Sequence, residues 1–427
     1  MIWLQGGAFV LNFNPNYNGS GLIEASGGNV IVVSFNYRVG PYGFLASEEL
    51  QEEGNLNVGL HDQRAAMRWV EQNIGAFGGD PDKVTLFGAS VGGGTVLLHG
   101  LAYGGQPPET DNPPWRAGIA GSVYMPSIFE LGDLEFQFQD LLEATGCTDL
   151  ACLRSLDSER IQEANQARPF PDQTSTPLFP YTAVIDNELF TGNAHDMLAA
   201  GNFSTDRPFI IGTSSSEGTL FVPQANTTED VNTFLRLQFE GLTDEDLVEA
   251  HGLYEDVPQT YPGVTATLSP LFFRAAKMYG DASFFCPAVD FSETLGAAGV
   301  TAHAFRNNIL DDAEVAAGYL VPHTWEVPAV WGPEFAVIFT ALPTATSYLP
   351  GGANHGMVDV VQSYWLSFVA TGDDPNADRA QGSPMWETFG DAGFLRLQSN
   401  NTAMEQFAER DAERCEFWRR LSAKTHI

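Results

Sequence analysis

Apolar, β-rich runs alternate with helical patterns along this chain, an arrangement that predicts a mostly parallel sheet with helices on both faces. Ile2-Trp3-Leu4 predicts a strand that enters a glycine loop, Gly6-Gly7-Ala8. Asn29-Val30-Ile31-Val32-Val33-Ser34-Phe35 predicts a second, buried strand. Between positions 62 and 74 the period changes. Ala66, Val70 and Ile74 fall on one helical face, and Phe77-Gly78-Gly79-Asp80-Pro81 ends that helix. Lys83-Val84-Thr85-Leu86-Phe87 is the next strand, and Gly93-Gly94-Thr95-Val96-Leu97-Leu98 opens the helix beyond it. Further strands are expected at 119–124 and 208–212, with 300–305 as the last central one. Residues 228–295 are mostly helical in pattern with no convincing strand, and are expected to form a cap-like insertion. Helices over 358–370 and 405–422 close the chain. No repeat, low-complexity linker or heptad pattern divides it, so one domain is expected over 1–427.

Between that strand and helix lies Gly88-Ala89-Ser90-Val91-Gly92. A Gly-x-Ser-x-Gly in strand-turn-helix context is the nucleophile elbow of a serine hydrolase. The turn is so tight that only residues with little side chain fit beside the serine. Its hydroxyl is lifted clear of the sheet, and the N–H groups that follow face developing negative charge. Such a serine needs a base, an acid to orient the base, and oxyanion donors. Catalytic groups collect at the carboxyl ends of parallel strands. After Ile210-Ile211-Gly212 comes Glu217, in a glycine-flanked turn; Asp186 competes but reads as a turn residue. Among eight histidines, position favours His323, in the loop after the last strand, over His355, which opens a helix. The N–H groups of Gly7 and Ala8, with that of Val91, are the candidate oxyanion donors.

Composition narrows the partners. The formal net charge of −34 repels phosphate backbones and sets nucleic-acid binding aside. No apolar run is long enough to cross a bilayer. Four glycosylation sequons, starting at Asn18, Asn202, Asn226 and Asn400, join four cysteines and the acidic balance in favouring a secreted glycoprotein. The first residues lack the basic start and apolar stretch of a signal peptide. No zinc-type Cys-x-x-Cys occurs, and no metal or organic cofactor is implied.

These residues resemble the type-B carboxylesterase/lipase family, the cholinesterase-like branch of the α/β-hydrolases. Trp3-Leu4-Gln5-Gly6-Gly7-Ala8-Phe9 resembles the family's oxyanion loop. Asn36-Tyr37-Arg38, Gly43-Phe44-Leu45, the run from Asn57 to Arg64, and Phe77-Gly78-Gly79-Asp80-Pro81 resemble its next landmarks. Glu217-Gly218-Thr219 reproduces the context of the family's triad glutamate. His323-Thr324-Trp325-Glu326-Val327-Pro328-Ala329-Val330-Trp331-Gly332 fits the motif of its base, which decides for His323 over His355. The resemblance implies the α/β-hydrolase fold and a Ser90-His323-Glu217 triad acting on small-molecule or lipid esters through an acyl-enzyme. It also implies two disulfides, a small loop Cys147–Cys152 and a long-range Cys286–Cys415. A non-catalytic adhesion member of the fold and a lipase for long-chain acylglycerols are the alternatives.

The chain departs from the family at Gln5, Ala8, Ala89 and Val91. None of these removes a backbone donor, so altered specificity is expected rather than lost chemistry. Loss of a carboxylate at position 89 argues against choline esters. Met1 begins inside the strand that leads to the oxyanion loop. An N-terminally truncated fragment is therefore expected, with the strand over 30–35 left as an unprotected edge.

Overall fold

The computed structural model describes all residues except 13–17, 55, 172, 333–344 and 391. Its strands are β1 (Ile2–Leu4), β2 (Val33–Ser34), β3 (Thr85–Ser90), β4 (Ala117–Val123), β5 (Phe209–Ser214), β6 (Ala302–Asn307), β7 (Phe394–Leu397) and β8 (Ala403–Glu405). They form one sheet in the order β2-β1-β3-β4-β5-β6-β7-β8. Every pairing is parallel except β7 with β8. Among the described residues nothing pairs with the far side of β2.

The main helices are α1 (Val58–Asn73), α2 (Val91–Leu101), α3 (Thr228–Gln238), α4 (Asp244–Leu253), α5 (Phe272–Gly280), α6 (Cys286–Ala297), α7 (Val327–Trp331), α8 (Gly356–Thr371) and α9 (Glu409–Arg420). A π turn, Asp281–Phe285, joins α5 to α6. Helices α3 to α6 occupy the 228–295 segment, and α6 packs against β5 and β6.

Strand alternation assigns the two faces. Ile2, Leu4, Leu86, Phe209, Ile211 and Ala304 join the core that holds α1, α2, α5 and α6. Their neighbours Trp3, Phe87, Ile210 and Phe305 point the other way, into the core that holds α7 and α8. Both sides of the sheet are therefore dry, as parallel strands require. A smaller apolar cluster gathers Leu50, Leu134, Phe138, Leu153 and Val184.

Several expected elements shift. The strand expected over 29–35 is regular only at Val33–Ser34. The strand expected at 300–305 runs from Ala302 to Asn307, and the short β7 and β8 follow it in the sheet. The helix expected from position 62 begins at Val58, after Asn57 in a left-handed conformation. Both disulfides implied by the family resemblance, Cys147–Cys152 and Cys286–Cys415, are formed. The sequon asparagines 18, 226 and 400 are exposed, and Asn202 is half-buried. Among the described residues no helix is long and apolar enough to cross a membrane.

Candidate active site

Strand β3 ends on Ser90, which sits at φ 64°, ψ −136° and caps α2. A non-glycine residue rarely adopts that backbone, and it persists only where the surroundings enforce it. Glycines provide the enforcement. A Cβ on Gly88 would stand 2.2 Å from Gly92 O, and one on Gly92 2.1 Å from Leu4 O. The turn therefore folds back on itself and lies directly against β1. Gly88→Ala is expected to destabilise the protein by about 3 kcal/mol through this overlap with backbone, read as a lowered thermal midpoint.

The loop after β1 closes over the serine. A Cβ on Gly6 would be 2.9 Å from Ser90 Cβ and 3.5 Å from its Oγ. Gly7, Ala8 and Phe9 follow with φ of 107°, 51° and 62°. Among the described residues, no backbone acceptor outside regular elements engages the N–H of Gly7, Ala8 or Val91. Val91 follows Ser90 directly in the chain, and α2 adds the positive end of its dipole there.

On the other side, β5 runs into a turn that carries Glu217, which is buried. Its Oε1 accepts the N–H of Ser214 at 2.5 Å. Oε2 lies 2.5 Å from His323 Nδ1. A carboxylate only accepts, so Nδ1 carries the proton and Nε2 is left as the basic nitrogen. His323 is also buried, and its Nε2 has no hydrogen-bond partner among the described residues. In this state, then, Nε2 and the Ser90 hydroxyl are not bonded to one another.

The loops that carry Glu217 and His323 are stitched together. Ser216 N–H donates to Val321 O at 3.0 Å, and Thr219 Oγ1 donates to Tyr319 O at 2.9 Å. Gly218 permits the close packing, since a Cβ there would meet Ala276 O at 2.0 Å. Leu320 and Thr324, at φ 60° and 63°, bend the chain on either side of the histidine. The imidazole is held edge-on by Phe221 and Phe284, with ring centroids 5.1 and 5.0 Å away. Tyr124 packs on Phe284 and donates its N–H to Ser90 O at 3.1 Å, joining the base to the elbow.

The other sequence candidates lie elsewhere. His355 is exposed at the start of α8, with Nδ1 2.9 Å from Tyr348 O. Asp186 is a loop residue whose carboxylate accepts the N–H groups of Glu188 and Phe190. Phe221, Phe284, Ser122 and Glu326 belong to the site without having been singled out for a role. Only Glu326 carried a signal, its place in the motif that follows His323.

Residues 1–418 match the Carboxylesterase family, and the chain belongs to it. Its fold is the α/β-hydrolase fold. It is similar over its whole length to the crystal structure of Aspergillus niger EstA, with a TM-score of 0.90, 36% identity and 81% of that chain covered. Lipase 5 of Diutina rugosa is 36% identical over 301 residues, which are 66% of this chain and 54% of that protein. Lipase 1 of Geotrichum candidum is 33% identical over 311 residues, 67% of this chain and 54% of that one. The chain thus spans about half the length of these two lipases. Secreted lipase 4 of Gibberella zeae is 27% identical over 441 residues, covering 98% of this chain and 74% of the relative.

Proposed function

We propose that this protein is a serine carboxylic-ester hydrolase that works through an acyl-enzyme. The observation that carries the reading is the buried Glu217–His323 pair: its Nε2 has no partner among the described residues, and Phe284 beside it packs on Tyr124, whose N–H donates to Ser90 O. Ser90 Oγ attacks the ester carbonyl carbon while His323 Nε2 takes the hydroxyl proton. Glu217 holds the imidazole in the required tautomer and offsets the charge of the imidazolium. The N–H groups of Gly7, Ala8 and Val91 donate to the tetrahedral oxyanion, and each such donor contributes about 3 kcal/mol of transition-state stabilisation. The intermediate then collapses. The C–O bond to the alcohol breaks, Nε2–H protonates the leaving alkoxide, and the acyl group stays on Ser90. Water, deprotonated by His323, attacks that acyl carbon and releases the carboxylic acid.

The first step needs Oγ and Nε2 to come within hydrogen-bond distance. Catalytic contacts are often loose without substrate and tighten in the complex. A fluorophosphonate probe tests the assignment directly. It should label the wild-type protein and spare Ser90→Ala; equal labelling of both, or of neither, refutes the mechanism and favours a non-catalytic member of the fold.

The relatives named as lipases favour one narrower reading, action on long-chain acylglycerols. Turnover of p-nitrophenyl esters from acetate to palmitate, beside a triolein emulsion, separates esterase from lipase behaviour. The secreted relative, the two disulfides and the exposed sequons support an extracellular setting.

A further inference from the structure

Outside the candidate active site a second histidine faces a carboxylate, in a cluster that the chemistry above does not use. His195 stands on the short helix Ala194–Ala199, which Asn193 caps by accepting the N–H of Asp196. That helix seats Ala194, Met197 and Leu198 in the core. His195 Nδ1 lies 2.7 Å from Asp290 Oδ2 on α6, and Asp290 Oδ1 accepts the Nε–H of Arg419, on α9, at 2.9 Å. Arg419 also donates to Glu293 of α6 at 2.7 Å and to Glu416 of its own helix at 3.0 Å. Asp290 comes about one helical turn after Cys286, and Arg419 about one turn after Cys415. The ion pair therefore repeats, one turn along, the tie that the disulfide makes between α6 and α9. His195 brings a third element into that tie. A small cavity beside the disulfide is lined by all three side chains.

We infer that His195 is a proton-operated latch: protonated, it fastens the short helix Ala194–Ala199 to the disulfide-linked pair α6 and α9, and neutral, it lets that helix loosen. The inference stands apart from the chemistry proposed at Ser90. Asp290, Glu293 and Glu416 set three carboxylates around one guanidinium. An imidazolium offsets part of that excess negative charge, and a neutral ring offsets none. The charged groups that face the ring are Asp290 from α6, Arg419 from α9 and Asp196 from its own helix. α2 also packs against the short helix, but its titratable residue, His99, is turned to Gln63, with Nε2 2.8 Å from Gln63 Oε1. From the stretch after α9, Ser422 and Thr425 bring hydroxyls. The side chains of His195 and Asp290 are 23% and 15% exposed, so the pair is partly shielded from water and salt. A carboxylate only accepts, so Nδ1 donates to Asp290 in either state, and what titration changes is the charge. The hydrogen bond to Asp290 raises the imidazole above its ordinary value, against the effect of burial. A group raised in this way contributes stability that is fully present below its unfolded value, about 6.5, and is lost as pH rises through the folded value. The latch is therefore closed in mildly acidic solution and opens as the pH climbs.

Hydrogen exchange read by mass spectrometry tests the latch, using the full chain and correcting for the intrinsic pH dependence of exchange. Peptides spanning 194–201 should be about fivefold more protected at about pH 5.5 than at about pH 8.5, two conditions that bracket the ordinary imidazole value. That factor is the upper end for a partly exposed ion pair. Peptides from α8 are the control and should keep their protection. His195→Gln retains a donor but carries no charge, so its protection should be low and alike at both pH values. His195→Lys stays charged throughout and should be high and alike at both. Equal protection of wild type under the two conditions, or a pH response in His195→Gln that matches wild type, would overturn the inference. Should His195→Gln fail to fold by circular dichroism, Asp290→Asn decides the matter. There the ring loses its charged partner and the response should flatten; a wild-type response counts against the latch. Fluorophosphonate labelling at Ser90 reads a different part of the molecule. Its failure would sink the hydrolase reading and leave the latch standing.

Discussion

His323→Ala is expected to lower kcat on a p-nitrophenyl ester by about four orders of magnitude or more, the usual cost of losing a triad member. Without the imidazole the proposed mechanism has no group to take the Ser90 proton. A neutral serine hydroxyl is a weak nucleophile. Because Nδ1 lies against Glu217 in a buried setting, the variant also leaves that carboxylate without its partner. KM should change little, since the ring acts on the reacting atoms rather than on remote parts of the substrate. His355→Ala is the matched control. That residue is exposed at the start of α8 and should retain full activity. A comparable loss in both variants would place the base elsewhere.

Removing the long-range disulfide should cause the second large change. Cys286 and Cys415 are 129 residues apart in sequence. In the chain-entropy account, closing so long a loop stabilises the folded state by about 5 kcal/mol, against about 2 kcal/mol for the short Cys147–Cys152 loop. For a chain of this size the long cross-link is worth about 5 °C of thermal midpoint. Cys286→Ser with Cys415→Ser should therefore melt well below Cys147→Ser with Cys152→Ser in a calorimetric scan. The catalytic consequence is more local. Cys286 follows directly on the π turn that carries Phe284, whose ring holds the imidazole edge-on. Esterase activity in the long-range double variant should fade at a lower temperature than its helical signal.

Much of the candidate site was legible because its residues sit where one-dimensional patterns end. Ser90 ends β3, Glu217 and His323 lie past the carboxyl ends of β5 and β6, and glycine or proline punctuation marks all three turns. β5 and β6 were equally clear as short, mostly apolar runs, because both faces of the sheet are buried there. Other features were hidden for physical reasons. The apolar run 29–35 marks an extended chain, yet a ladder needs a partner of matching length. β1 offers only three residues, so β2 is regular only at Val33–Ser34. β7 and β8 are short and mix arginine and glutamate with apolar residues, so neither looks like a buried strand. Ser122 takes part only through the bulge in β4, a slip of register between strands that no pattern within β4 announces. Glu326 sits in a legible motif, but its environment comes from β4 and β5 rather than from its neighbours in sequence.

The stitches between the Glu217 and His323 loops bear on how this site can change. Glu217 and His323 lie in loops past the adjacent strands β5 and β6, and those loops are bound to each other through Ser216–Val321 and Thr219–Tyr319. The nucleophile and its glycine loop are clamped together separately, across β1 and β3. The machinery is thus two prefabricated halves joined along β4. Surface segments that belong to neither half are free to vary without disturbing the geometry of either.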